Sequence, residues 1–219
     1  MDDMRPLPRH DPGSSSHNGN DDQREGQRIR TVCRFAKVIR VDDAGLWLVR
    51  NISNGGMMLS TQAAVQPGER VTIALSETIH VDASVVWCDD GRCGVAFDEE
   101  IDGPALLKRL AVEQAARGYR QPRIPVQTSG RAVLRDGWQP IELTNLSQQG
   151  AGFVHDGTVK TGTQLELVLG RIVRKAIVRW SRGREGGLWL TQPLDRADME
   201  SIRTLEAAVA VQKSSARRR

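Results

Sequence analysis

From Val32 onward the hydrophobic residues of this chain fall in short runs separated by turn residues. The runs at 32–41, 46–52, 57–59, 71–75, 79–88 and 93–97 are punctuated by Asp42-Asp43-Ala44-Gly45, Pro67-Gly68 and Asp89-Asp90-Gly91. Short runs with turns at this spacing predict antiparallel strands closed into a small barrel or sandwich. Asp102-Gly103-Pro104 then offers an acidic N-cap with proline in the first turn. Leu106, Leu107 and Leu110 follow at helical spacing, so a helix is predicted to about Arg117. The plan repeats in runs at 126–134, 141–143, 165–169, 172–180 and 188–190. A closing helix is predicted to open at Asp195 or Asp198, with Met199, Ile202, Leu205 and Val209 on one face.

The repetition extends to particular words. Asn51-Ile-Ser53-Asn-Gly-Gly56 ends one run and Asn145-Leu-Ser147-Gln-Gln-Gly150 another, 94 residues later. Pro67-Gly68 and Thr161-Gly162 are also 94 apart, Trp87 and Trp180 are 93 apart, and Arg28 and Arg123 are 95 apart. Landmarks recurring at one interval mark an internal duplication. The fold class this predicts is mainly β: two consecutive small antiparallel β-barrels, each followed by a C-terminal α-helix. Residues 1–23, with no apolar periodicity and several breakers, read as a disordered segment. The first domain is placed at 24–118, the second at 119–212 and a basic tail at 213–219.

Composition narrows the function. Charged residues make up 26% and aromatics 4%, no apolar run approaches membrane-spanning length, and residues 1–23 lack the apolar stretch of a secretory signal. The chain therefore reads as soluble and cytoplasmic. Cys33, Cys88 and Cys93 are odd in number without a Cys-x-x-Cys pair, and His80 and His155 have no ligand-spaced partners, so neither a disulfide framework nor a metal site is expected. No Gly-rich phosphate loop, paired-carboxylate signature or nucleophile elbow is present, so the chain is not read as an enzyme and no cofactor is expected. Its net charge of +4 suits an anionic partner but does not choose between a nucleotide and an oligonucleotide. Low aromatic content speaks against a nucleic acid, since single-strand binders use stacking platforms. Trp87 and Trp180 are read as core residues.

Asn51-x-Ser53-x-x-Gly56, with Arg24-Glu-Gly-Gln-Arg28 upstream of the first strand, resembles the PilZ domain family over residues 24 to about 117 and, less fully, 119 to 212. The Pro67-Gly68-Glu69 turn and the ending Val86-Trp87 through Gly94-Val-Ala-Phe97 add to the likeness. The resemblance implies small β-barrels that bind the bacterial second messenger cyclic di-GMP, with Arg24, Arg28, Asn51, Ser53 and Gly56 as the binding residues. Elementary chemistry is consistent with that set. An arginine fork grips a phosphate or a guanine O6/N7 edge with two parallel hydrogen bonds, and lysine does not reproduce it. A carboxamide and a hydroxyl two residues apart on a strand meet a polar base edge, and glycine admits close backbone approach. Arg30 and Arg34 form a competing pair, but Arg34 falls inside the first predicted strand.

The second copy departs from the pattern. Arg123 matches Arg28, but Tyr119 takes the slot of Arg24, with Arg120 one place away. Asn145, Ser147 and Gly150 persist, so the second domain is expected to serve structure or partner docking. The resulting reading is a bacterial cyclic di-GMP receptor that binds at its first domain. Ordering of residues 24–34, with a linker near 117–123, then relays binding to a downstream protein. A non-binding PilZ-like interaction scaffold and an oligonucleotide-binding barrel protein are the alternatives.

Overall fold

The computed structural model describes residues 29–116 and 121–216. Twelve strands form two closed antiparallel barrels. The first contains β1 (Ile29–Ile39), β2 (Ala44–Ile52), β3 (Gly56–Ser60), β4 (Arg70–Ala74), β5 (His80–Asp89) and β6 (Arg92–Phe97), in spatial order β1-β2-β3-β6-β5-β4. Pairing of Val38 with Ile73 closes β4 back on β1. Inward residues such as Ala36, Val38, Val49, Leu59, Ile73, Val85 and Val95 fill the interior, and Leu106 and Leu110 of α1 (Gly103–Ala115) pack against them. Helix α1 begins as its sequence predicts: Asp102 Oδ1 accepts from Ala105 N at 2.9 Å, and proline occupies the first turn. Cys93 is buried in this wall, and burial pushes its thiol up to about 12.

The second barrel repeats the order with β7 (Ile124–Leu134), β8 (Gly137–Ser147), β9 (Gly150–Val154), β10 (Gln164–Leu169), β11 (Ile172–Arg182) and β12 (Glu185–Leu190). Strand β9 is absent from the sequence expectation because Gly150-Ala151-Gly152 offers almost no hydrophobic signal. Its glycines are there for space: a Cβ on Gly152 would lie 2.3 Å from Asn145 Nδ2. The closing helix also differs. Arg196–Asp198 forms one 3₁₀ turn and α2 (Ile202–Ala216) begins after it, with Ser201 Oγ accepting from Thr204 N at 3.1 Å. Among the described residues no helix is long and apolar enough to cross a membrane.

The barrels meet where the β1–β2 hairpin of the first touches the entry to α2. Leu46 N donates to Met199 O at 2.8 Å, Trp47 Nε1 to Glu200 O at 2.9 Å, and Arg203 N to Asp43 Oδ1 at 3.1 Å. Asp43 thus caps a helix of the other barrel. The Glu200 carboxylate is 3% exposed; its Oε2 accepts from Gln62 N and, at 3.4 Å, from Thr61 Oγ1. Arg196 Nε stands 2.8 Å from Oε1, an ion pair whose angle falls short of a hydrogen bond. Gly45 is required here, because a Cβ would lie 2.0 Å from Glu200 O. Ala44 and Leu46 belong to the hydrophobic cluster of the second barrel, together with Met199, Leu205 and Val209.

Candidate functional site

Both copies of the Asn-x-Ser-x-x-Gly phrase fold alike. In the first, Ser53 lies one residue past β2 and closes the turn into β3: Ser53 N and Ser53 Oγ both donate to Gly56 O, at 2.8 and 3.1 Å. Asn51 Oδ1 accepts from Met58 N at 3.1 Å, which leaves its amide NH₂ as the group offered outward. In the second, Ser147 Oγ donates to Gly150 O at 3.1 Å and Asn145 Oδ1 accepts from Gly152 N at 3.2 Å. A bulge immediately before each asparagine, between Val49 and Asn51 and between Leu143 and Asn145, sets its direction. Gly56 is needed sterically, since a Cβ would meet Val95 O at 2.2 Å. The turn also holds α1, for Asn54 Oδ1 accepts from Gly103 N and Asn54 O from Ile101 N.

Asn51, Ser53 and Gly56 line an open groove of about 520 Å³ together with Met57, Met58, Trp87 and Arg92. Trp87 is not in the core; it is 41% exposed, and Trp180 is 42% exposed. The reason is a second pair of bulges, between Val85 and Trp87 and between Val178 and Trp180, which turn the next side chain outward. Each indole lies on the glycine across the ladder. A Cβ on Gly94 would stand 2.0 Å from Trp87 Nε1, and one on Gly187 2.1 Å from Trp180 Nε1. One face of each ring is covered by backbone and the other faces the groove. Asp90 and Gly91 both have positive φ, as a two-residue hairpin requires. Counting back from that turn sets Trp87 opposite Gly94, but nothing in the sequence marks the bulge.

The structure brings Asn51, Ser53 and Gly56 together; Arg24 and Arg28 lie outside the described residues. Arg34 is on β1, where Nη2 donates to Leu75 O at 3.3 Å. In the second barrel the counterpart of Arg28, Arg123, lies within the described residues. Ile29 pairs with Ile52 and Ile124 with Leu146, so Arg28 and Arg123 each directly precede the equivalent residue. Arg123 Nη1 donates to Asn145 Oδ1 at 2.7 Å. Buried His155 has a structural part instead: Nδ1 accepts from Gly157 N at 3.0 Å, and Nε2 lies 3.2 Å from Ser181 Oγ.

The PilZ domain family profile matches this chain twice, over residues 22–113 and 119–209. No curated protein matches it. Among solved structures, PlzA of Borreliella burgdorferi in complex with c-di-GMP is 11% identical, with 84% of this chain and 94% of that one covered and a TM-score of 0.33. The Bacillus subtilis inhibitor of motility MotI/DgrA is 11% identical, with 83% and 95% covered and a TM-score of 0.30. YcgR of Escherichia coli in complex with c-di-GMP is 13% identical, with 84% and 85% covered and a TM-score of 0.29.

Proposed function

Because this chain belongs to the PilZ domain family, we propose that it is a cyclic di-GMP receptor, with the nucleotide held on the first barrel by Arg24, Arg28, Asn51, Ser53 and Gly56. The observation that carries this reading is the contact of Arg123 Nη1 with Asn145 Oδ1 in the second barrel. It supports placing Arg28, at the same register position, beside Asn51. There a guanidinium fork faces the phosphate or the guanine O6/N7 edge, and the Asn51 amide donates to an acceptor on the base. The outward face of Trp87 suits a purine ring, and Gly56 keeps the groove floor flat. The relay to a partner runs through the two ends of β2. Its far end carries Asn51, and its near end touches the entry to α2 through Leu46 and Trp47.

Calorimetric titration of the full chain with cyclic di-GMP tests the reading. Wild type releases heat, and Arg28→Ala weakens binding by roughly tenfold to a hundredfold, the worth of hydrogen bonds to a charged group. A wild-type chain without heat at high micromolar nucleotide overturns it.

A further inference from the structure

The two barrels share one fold but not one surface. Residues 24–118 carry twelve Lys or Arg against thirteen Asp or Glu, whereas residues 119–212 carry thirteen against nine, eleven of the thirteen being arginine. The equivalent registers Trp87↔Gly94 and Trp180↔Gly187 align the β5–β6 and β11–β12 hairpins residue by residue. Four positions on that face then change: Val86, Asp89, Arg92 and Ala96 of the first barrel stand where the second has Arg179, Arg182, Glu185 and Trp189. The Asp89–Arg92 pair is exchanged in sign for Arg182 opposite Glu185, while a hydrophobe and a methyl group give way to a further guanidinium and an indole.

The result is a groove of about 620 Å³, the second barrel's counterpart of the groove at Asn51, in which Ser147 and Gly150 meet Arg123, Arg179, Arg182, Trp180 and Trp189, with no acidic residue among its described lining. Trp180 rests one face on Gly187 and is 42% exposed; Trp189 is 38% exposed. Trp189 lies two residues from Gly187 on the same face of β12, so the two indoles are set about 7 Å apart along the strand. Arg179 and Arg182 follow β11 for about 10 Å.

We propose that this groove is a binding site for single-stranded nucleic acid, separate from the nucleotide site of the first barrel. Arginines spaced along a strand suit successive phosphates, and neighbouring outward indoles suit successive bases. A duplex keeps its base faces stacked inside and cannot use the indoles. The low aromatic content that speaks against nucleic acid in the sequence misleads because of where the tryptophans lie. Trp138, Trp180 and Trp189 are all exposed on the second barrel, and the Arg131 guanidinium stands 5.8 Å from the Trp138 ring.

Fluorescence anisotropy on the full chain decides it, using a labelled mixed-sequence RNA and DNA of about 12 nucleotides and a duplex of the same sequence. Both single strands are expected to bind, with affinity falling linearly on a log–log plot between about 50 and 200 mM salt. Arg179→Ala/Arg182→Ala should cost tenfold or more and flatten the salt slope by roughly 1.4, for two phosphates lost. Trp189→Ala should weaken binding roughly tenfold while leaving the slope unchanged, a split that general misfolding would not produce. Arg28→Ala should bind the oligonucleotide as wild type does, which keeps this test apart from that of the first barrel. The proposal is overturned by no binding at about 100 µM protein, a weak limit for even non-specific contacts. It is equally overturned if the duplex binds as well, if the arginine variant binds like wild type, or if equimolar cyclic di-GMP displaces the oligonucleotide.

Discussion

Gly56 shows how little room the barrel wall leaves for a single methyl group. A methyl group there would sit 2.2 Å from the Val95 carbonyl, inside a backbone ladder that cannot step aside, whereas a Cβ on neighbouring Gly55 meets nothing within 4 Å. Gly56→Ala should therefore destabilise the first barrel by about 1–3 kcal/mol, and Gly55→Ala should be close to neutral. Thermal melts of the two variants check this, and equal melting temperatures would refute it. Ser53 follows a similar logic, since its hydroxyl proton is committed to Gly56 O and a ligand meets only its lone pairs. The sequence phrase was legible as a site because its spacing is that of a turn. The outward tryptophans were not, because the bulge of one residue that turns Trp87 outward leaves no mark in the sequence, and a tryptophan in an apolar run reads as core.

At the scale of elements, Arg40 just beyond β1 clasps Glu69 just before β4 through Nε–Oε1 at 2.5 Å and Nη2–Oε2 at 3.1 Å. That hydrogen-bonded guanidinium holds the Glu69 carboxyl below the usual carboxylate range. A depressed folded value means the pair stabilises the barrel above the ordinary glutamate value near ~4.3, and that this is lost as pH falls through the lower folded one. Asp198 runs the opposite way, because burial raises its carboxyl. Comparison of wild type with Glu69→Gln isolates the pair. Urea unfolding should show a gap of about 1 kcal/mol at neutral pH that closes below about pH 4. A gap that stays constant on acidification would refute the assignment. Most strands and the Asp102 cap of α1 could be read from the chain, since both are written in local periodicity and turn residues. Strand β9 and the 3₁₀ turn ahead of α2 could not, because glycine-rich β9 has no hydrophobic alternation and the entry to α2 is shaped by contacts from the other barrel.

For the molecule as a whole, the decisive contact is one that no local pattern announces. Glu200 reaches Gln62 across 138 positions of chain, and Trp47 reaches Glu200 across 153. Removing the carboxylate leaves the buried Thr61 hydroxyl and the Gln62 amide without their acceptor at the junction, which should cost about 1–3 kcal/mol. Glu200→Ala should accordingly split a single calorimetric unfolding transition into two, one for each barrel. A single transition at the wild-type temperature would show that the junction couples nothing.

The Asp43 cap also imposes an order in time. Arg203, whose amide it receives, is made 160 residues after it. At about 5–20 residues per second, translation leaves the finished first hairpin waiting roughly ten to thirty seconds for its partner. During that interval Gly45 and the Trp47 indole N–H face no glutamate. The nascent first barrel thus spends its early life with its docking hairpin open, and it is covered only when α2, made after the whole second barrel, arrives.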